Sequence, residues 1–236
     1  MTQHQTSSHP LDHVIWASLT TQHRSFAQGD DRARRYPAAV APFAAVADNS
    51  TASFEALAQL LEPDEQLILF TVDEVTPTGN LEVVQTMDID QMIGPATGDT
   101  EIRTDTNAQL VQLGTNDVAD MTALIRLTNP GPFGTRTIEL GKFFGVRADG
   151  RLAAVTGERM HLDGFTEITA VCAHPDYRGR GYPRDLIRAV SRDIVNRGET
   201  PFLHVYRGNA PAVGLYTKLG FRLRRTLRLT MLRRTS

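Results

Sequence analysis

The 236-residue chain carries 25 Lys and Arg against 27 Asp and Glu, a formal net charge of −2, with 41% hydrophobic and 22% charged residues. That balance gives no overall drive toward nucleic acid or an acidic surface, and a chain of this length buries roughly 70% of its unfolded surface without staples. The single cysteine, Cys172, excludes an intrachain disulfide framework and fits a reducing cytoplasm. The first ten residues lack the basic start and apolar run of a signal peptide, and no apolar stretch approaches the roughly 20 residues that span a bilayer. A cytoplasmic protein with no membrane partner is expected.

Residues 1–9 are polar and expected to fray. Leu11, Ile15, Leu19 and Phe26, with Trp16, are spaced for a helix ending near Gly29. The mixed-sign run 30–35 reads as a solvated face, and the small apolar run 37–47 as a strand. A short helix is predicted over 53–61, stopped by Pro63, and strands over 66–72 and 81–87. Thr76-Pro77-Thr78-Gly79-Asn80 has the chemistry of the turn between them, and 94–100 has that of a linker. Residues 1–100 are therefore assigned to an N-terminal α/β region, 101–107 to a linker and 108–236 to a second domain, with no strong sequence repeat between the halves.

The second domain begins with a strand at 110–113. A helix carrying Val118, Met121, Leu124 and Leu127 follows, capped by Thr115 or Asn116 and halted by the Pro/Gly run 129–134. Strands at 143–146 and 152–155 flank the hairpin signal Asp149-Gly150, and Asp163-Gly164 returns the chain as a strand over 165–173. Leu186, Ile187, Val190 and Ile194 give the next helix one buried face, with Gly198 as its C-terminal cap. A strand at 202–206 and a helix at 209–219 come next. Phe221, Leu223, Leu227, Leu229 and Met231 then alternate with mostly Arg or Thr, as in a half-buried strand or hairpin. The arginines between them and at the end, Arg222, Arg224, Arg225, Arg228, Arg233 and Arg234, lack interleaved aromatics and read as a wet face, not a nucleic-acid patch.

The corner after residue 173 stands out. Its strand–loop–helix path leaves main-chain N–H groups unpartnered at the positive end of a helix dipole, and Arg178 and Arg180 add full charges beside them. Such a corner suits a pyrophosphate. Gly179-x-Gly181 lacks the third glycine of a dinucleotide fingerprint, and no Gly-x4-Gly-Lys-Ser/Thr loop is present, so NAD and ATP fit poorly.

Arg178-Gly179-Arg180-Gly181-Tyr182-Pro183 resembles the pyrophosphate motif Gln/Arg-x-x-Gly-x-Gly/Ala of the GNAT superfamily of N-acetyltransferases, with Pro183 in place of the last small residue. Asn209-Ala-Pro-Ala-Val-Gly-Leu-Tyr216-Thr-Lys-Leu-Gly220-Phe221 resembles that superfamily's closing helix, Asn-x-x-Ala-x-x-x-Tyr-x-Lys-x-Gly-Phe. The element order of residues 108–236, β-α-β-β-β-α-β-α-β, is similar too, and 171–221 looks closest to the glycine N-acyltransferase-like branch. The resemblance implies an α/β (α+β) fold with a mixed, largely antiparallel sheet flanked by helices, the N-terminal region being an addition or a partial copy of the same fold. It implies transfer of an acyl group, foremost acetyl from acetyl-CoA, to a small-molecule or peptide amine by direct attack in a ternary complex; a non-catalytic acyl-CoA-binding module is the alternative. No metal is implied, and a homodimer is compatible with it.

An alkylamine is mostly protonated at neutral pH, and freeing its lone pair costs roughly 4 kcal/mol, so a carboxylate or histidine that takes the proton is of use. By resemblance Glu167 is the first choice, on the strand that feeds the corner. Glu158 on the preceding strand is second and His204 third. The same resemblance gives Tyr216 the role of acid toward the departing thiolate, and Asn209, a helix cap in its own right, a contact to the pantetheine arm. Val171, Cys172 and Ala173 would meet that arm through their backbone where the strand splays from 202–206, and the amides of Arg178, Gly179, Arg180, Gly181 and Tyr182 would hold the pyrophosphate. Pro183 removes one donor. Cys172, on a strand expected to be buried and without a His/Asp companion, is not expected to be a nucleophile.

Overall fold

A computed structural model describes residues 9–95 and 109–235. The linker expected at 101–107 and most of 94–100 fall outside them. In chain order, a short 3-10 helix (Pro10–His13) leads into α1 (Val14–Thr20), and β1 (Gln28–Gly29), β2 (Ala33–Arg35) and β3 (Ala44–Val46) form a small antiparallel sheet. Next come α2 (Thr51–Gln59), β4 (Gln66–Thr71) and β5 (Leu81–Ile93). After the undescribed stretch follow β6 (Gln109–Leu113), α3 (Val118–Thr128), β7 (Phe143–Ala148), β8 (Arg151–Leu162), β9 (Phe165–Ala173), α4 (Tyr182–Asn196), β10 (Thr200–Tyr206), α5 (Ala210–Lys218) and β11 (Arg222–Arg234).

Two early elements differ from expectation, each for a local reason. The first helix stops at Thr20 because the hydroxyls of Thr20 and Thr21 bond back to the carbonyls of Trp16 (2.8 Å) and Ala17 (2.6 Å), competing with the helical ladder. The strand expected over 37–47 shrinks to β3. Pro37 and Pro42 have no N–H to give, and Val40 N–H closes a turn on Pro37 O at 2.8 Å. Arg35, read as part of a solvated run, is buried and paired with Glu65.

Among the described residues eight strands form one mixed, largely antiparallel sheet in the order β4-β11-β5-β10-β9-β8-β7-β6. The N-terminal region and the expected second domain share it. β5 lies between β10 and β11, pairing Ile89–Ile93 with Phe202–Tyr206, while β11 lies between β5 and β4, pairing 228–233 with 66–71. Each half thus lends its thirteen-residue last strand to the other. A strand–helix–strand unit also occurs in both halves, β3–α2–β4 and β9–α4–β10; β9 and β10 pair in parallel over three residues, and in the first unit the parallel contact is one bridge, from Phe43 just before β3 to Ile68 of β4.

Alternation along β10 divides the core. Leu203 and Val205 pack with Ile187, Val190 and Ile194 of α4 and Tyr216 of α5. Phe202 points the other way, into a cluster with Leu11, Ile15 and Phe43 of the N-terminal region. α3 covers β7–β9 through Met121, Leu124 and Ile125. Each such buried side chain contributes about 1.5–3 kcal/mol, so the N-terminal region is bound to the sheet by the same force that holds α4. Arginines of β11 are paired, Arg228 with Asp88 of β5 at 2.6 Å and Arg224 with Asp12 of the first 3-10 helix at 2.7 Å.

Candidate active site

β9 and β10 pair only over Phe165–Glu167 and Thr200–Phe202, then diverge. The cause is on the other side of β9. Its register with β8 advances from Cys172↔Val155 to Thr169↔Gly157, so one extra residue is inserted into β9, and Ala170 takes a left-handed φ of 54°. A bulge bends its strand and re-aims its side chains. The divergence opens a cleft of about 120 Å³ at the carboxyl ends of two parallel strands, lined by Ile168–Val171 on one side and His204–Tyr206 on the other. In the gap, main-chain groups of both strands are available to a third extended chain.

A second shift, between Glu158↔Ile168 and His161↔Thr166, inserts a residue into β8 and brings Arg159 against Glu167. Glu167, expected as the proton acceptor, is fully buried with both oxygens doubly engaged. Oε1 accepts from Arg159 Nη2 (2.7 Å) and His204 Nδ1 (2.7 Å), and Oε2 from Arg159 Nε (2.8 Å) and Met160 N (3.3 Å). Burial alone would raise its pKa, but the Arg159 guanidinium and then His204 outweigh it and bring it down to about 2. A carboxylate so saturated has no lone pair left for an incoming amine. Its place is behind Arg159, whose guanidinium carbon lies 4.6 Å from the centre of the Phe43 ring.

His204 is held from both ends. Gln91 Oε1 accepts from Arg224 Nη1 (2.9 Å), so its amide nitrogen donates to Leu11 O (2.9 Å) and His204 Nε2 (3.1 Å), which leaves the imidazole proton on Nδ1, toward Glu167. Glu158, the second candidate, lies on the opposite strand face outside the cleft lining. It accepts from Arg197 Nη2 at 2.9 Å and from Lys142 N at 3.3 Å. Strand alternation separates it from Arg159. Among the described residues that line the cleft there is no Asp or Glu.

Tyr216 and Asn209 do line it, together with Val171. Burial pushes the Tyr216 phenol up to about 12, the nearby Cys172 thiol adding to the effect, so the hydroxyl keeps its proton at neutral pH. Asn209 caps α5 by accepting from Ala212 N at 3.3 Å. Cys172 packs under α3, and burial raises its thiol to about 11 in spite of a bond to Thr128, which leaves it a poor nucleophile. Ala173 ends β9 half-buried, beside Ala153 and Ala154.

At the corner, Gly179 and Gly181 have φ of 78° and 80°, a left-handed conformation that suits glycine, and a side chain at Gly179 would meet open space. Gly181 precedes α4 with no side-chain cap, and the amides of Gly179, Gly181 and Tyr182 make no hydrogen bond among the described residues, whereas the Arg178 amide, expected to join them, closes a turn on Pro175 O at 3.3 Å. Pro183 is the second residue of α4, where any residue's N–H would lack a helical partner, so little is lost there. Arg178 is exposed, Arg180 stacks at 5.0 Å over Tyr177, and Arg184 pairs with the buried Asp185 at 2.9 Å. Unpaired amides at the start of a fifteen-residue helix, with arginines around them, fit a diphosphate. The structure therefore separates the expected residues into this corner, the cleft with Tyr216, Asn209 and Val171, and a buried group behind the cleft.

Arg159, Gln91 and the wall from Phe43, Ile68, Phe70 and Ile89 went unread in the sequence. For Arg159 the sequence pointed the wrong way. Counting back from the Asp163-Gly164 turn, Leu162 faces Phe165 and His161 faces Thr166, which sets Met160 opposite Glu167 and Arg159 on the other face; only the inserted residue of β8 turns Arg159 inward.

The family of FR47-like proteins matches residues 143–229. A search of curated proteins finds no match. Among solved structures, the chain is 39% identical to a GNAT-family protein from Novosphingobium aromaticivorans, over 97% of this chain and 100% of that one, with a TM-score of 0.86. A GCN5-related N-acetyltransferase from Kribbella flavida is similar in fold (14% identity, 94% and 95% covered, TM-score 0.65). So is a tandem GNAT protein from the clavulanic acid biosynthesis pathway (12% identity, 82% and 75% covered, TM-score 0.54). The likeness extends through the first hundred residues, where the sequence motifs do not reach. With a parted sheet, a bare helix start and a relative matching both chains nearly end to end, the protein belongs to the GNAT family of acyl-CoA-dependent N-acyltransferases.

Proposed function

We propose that the protein transfers an acetyl group from acetyl-CoA to a primary amine of a small molecule or peptide, by direct attack with both substrates bound. The observation that carries this reading is the parting of β9 from β10 over a cleft that contains Tyr216. The amides of Gly179, Gly181 and Tyr182 and the side chains of Arg178 and Arg180 hold the diphosphate, and the open backbone of 171–173 takes the pantetheine arm, with Asn209 beside it. When bound, acetyl-CoA supplies an activated thioester. Tyr216 keeps a proton for the departing sulfur. Against an ordinary thiol value of about 8.5, full transfer from a phenol near 12 is uphill, so Tyr216 acts first as a hydrogen-bond donor; desolvation raises the thiol too and narrows the gap.

Glu167 and Glu158 are both tied up, so the amine proton leaves to solvent and Glu167 serves by fixing Arg159. Thiol release from acetyl-CoA with a panel of amines tests the reading: turnover with at least one primary amine is expected, and longer acyl thioesters in the same assay set the chain length. Bound acetyl-CoA with no thiol release from any amine would identify a non-catalytic acyl-CoA-binding module instead.

A further inference from the structure

We propose that the Arg159 end of the cleft selects an α-amino carbonyl acceptor: an amine whose neighbouring carbon bears a carbonyl or carboxylate oxygen and an apolar side chain of about leucine size. The inference rests on the transferase reading above and names the acceptor for the same site.

Arg159 is only 7% exposed, and two of its N–H groups are fixed on Glu167. Its Nη1 makes no hydrogen bond among the described residues, yet it is not a sealed-off buried atom, and Arg159 lines the cleft. A rigid, half-satisfied guanidinium in an apolar cavity costs free energy until an oxygen arrives to accept from it. Because Glu167 already balances the charge, the position asks for a hydrogen-bond acceptor beside the amine and does not require an isolated anion. Around it Phe43, Ile68, Phe70, Ile89 and Leu229 present an apolar wall. The whole cleft measures only about 120 Å³ and its Tyr216 end is taken by the thioester in the transferase reading, so the Arg159 end has room for a small branched side chain.

The missing carboxylate points the same way. A lysine-type amine, near pKa 10.4, would enter charged, and among the described lining residues the one imidazole, His204, is already held by Gln91 and Glu167 with no carboxylate beside it; an α-amine next to an amide carbonyl, at about 7.7–8.0, is substantially neutral at physiological pH. A site without a base is adequate for the second kind of amine and poor for the first.

The test uses the full chain and acetyl-CoA with L-leucinamide, L-leucine, Nα-blocked lysine, and a β,β-difluoroalkylamine of matched shape and basicity but no carbonyl. The kcat/KM for leucinamide should exceed that for the fluoroamine at least tenfold, and Arg159→Lys should bring the ratio near one; the leucine arm separates a carboxylate from an amide oxygen. A ratio near one in the wild type, or one that Arg159→Lys leaves intact, overturns the inference while acetyl transfer stands. If no amine supports thiol release, calorimetry in the presence of coenzyme A decides: leucinamide binding at least tenfold tighter than the fluoroamine upholds the acceptor site and overturns the transferase reading, and equal or undetectable binding overturns both. Should Arg159→Lys not fold, Ile68→Phe must move the preference from leucinamide to alaninamide at least tenfold, and an unmoved preference rejects the inference.

Discussion

In β3–α2–β4 and in β9–α4–β10 a strand enters a helix through a loop, returns parallel to itself and parts from its partner beyond a short contact. The two corners differ at the helix start. Before α2, Ser50 accepts from Ser53 N at 3.3 Å, and Asp48 Oδ1 takes both Ser50 N (3.0 Å) and Ser53 Oγ (2.7 Å). A carboxylate of the protein thus already occupies the positive end of that helix. Before α4 there is a left-handed glycine, no cap, amides without partners and a ring of arginines. The same chain path therefore serves as scaffold in one half and as an anion site in the other, and the difference is whether the helix start satisfies itself.

The largest effect expected from disturbing this contrast lies behind the active corner. Glu167→Gln leaves Arg159 without its buried counter-charge and should cost about 3–5 kcal/mol in urea unfolding. The acidic limb of the pH–rate profile should stay where it is, since Glu167 is not the proton acceptor. The wild type should also weaken in two steps as pH falls. His23, buried among Ser18, Tyr36 and Leu140, is lowered to about 4 by burial and by His161, so the unfolded state binds its proton first and stability declines from about 6.5 downward. Glu167 is lowered to about 2; its contribution is whole above about 4.5 and is lost below that, and this second step should vanish in Glu167→Gln.

Gly179→Asp copies the Asp48 arrangement onto α4. Aspartate tolerates the left-handed region better than most residues and would meet open space there, so the fold should hold while acetyl-CoA affinity drops about 100-fold, ~2.7 kcal/mol by calorimetry. Tyr216→Phe should lower kcat about 30-fold with less than a twofold change in KM for acetyl-CoA, because the hydroxyl matters only once charge reaches the sulfur. Least affected is Ser50→Ala in the other corner: about 1 kcal/mol lost from α2 in thermal unfolding, with kcat unchanged.

The elements around the anion corner were legible because their signals are local. Asp163-Gly164 fixes the β8–β9 hairpin, the apolar spacing of Leu186 to Ile194 gives α4 its face, and the glycines at 179 and 181 mark the turn. The placement of β5 between β10 and β11 was not legible. It depends on pairing between strands more than a hundred residues apart, which leaves no local pattern. The two bulges were hidden for a related reason: a one-residue insertion exchanges the faces of a strand, so Glu158 and Glu167, both plausible as bases in one dimension, end up behind or away from the cleft while Arg159 enters it. The acceptor wall was out of reach because Phe43, Ile68, Phe70 and Ile89 arrive from the region without motifs.

Calorimetric titration of the intact chain with acetyl-CoA tests the difference between the corners most directly. The account predicts one molecule bound per chain, with binding lost at the same protein concentration in Gly179→Asp. Two molecules per chain, or an isotherm that Gly179→Asp leaves unchanged, would contradict it.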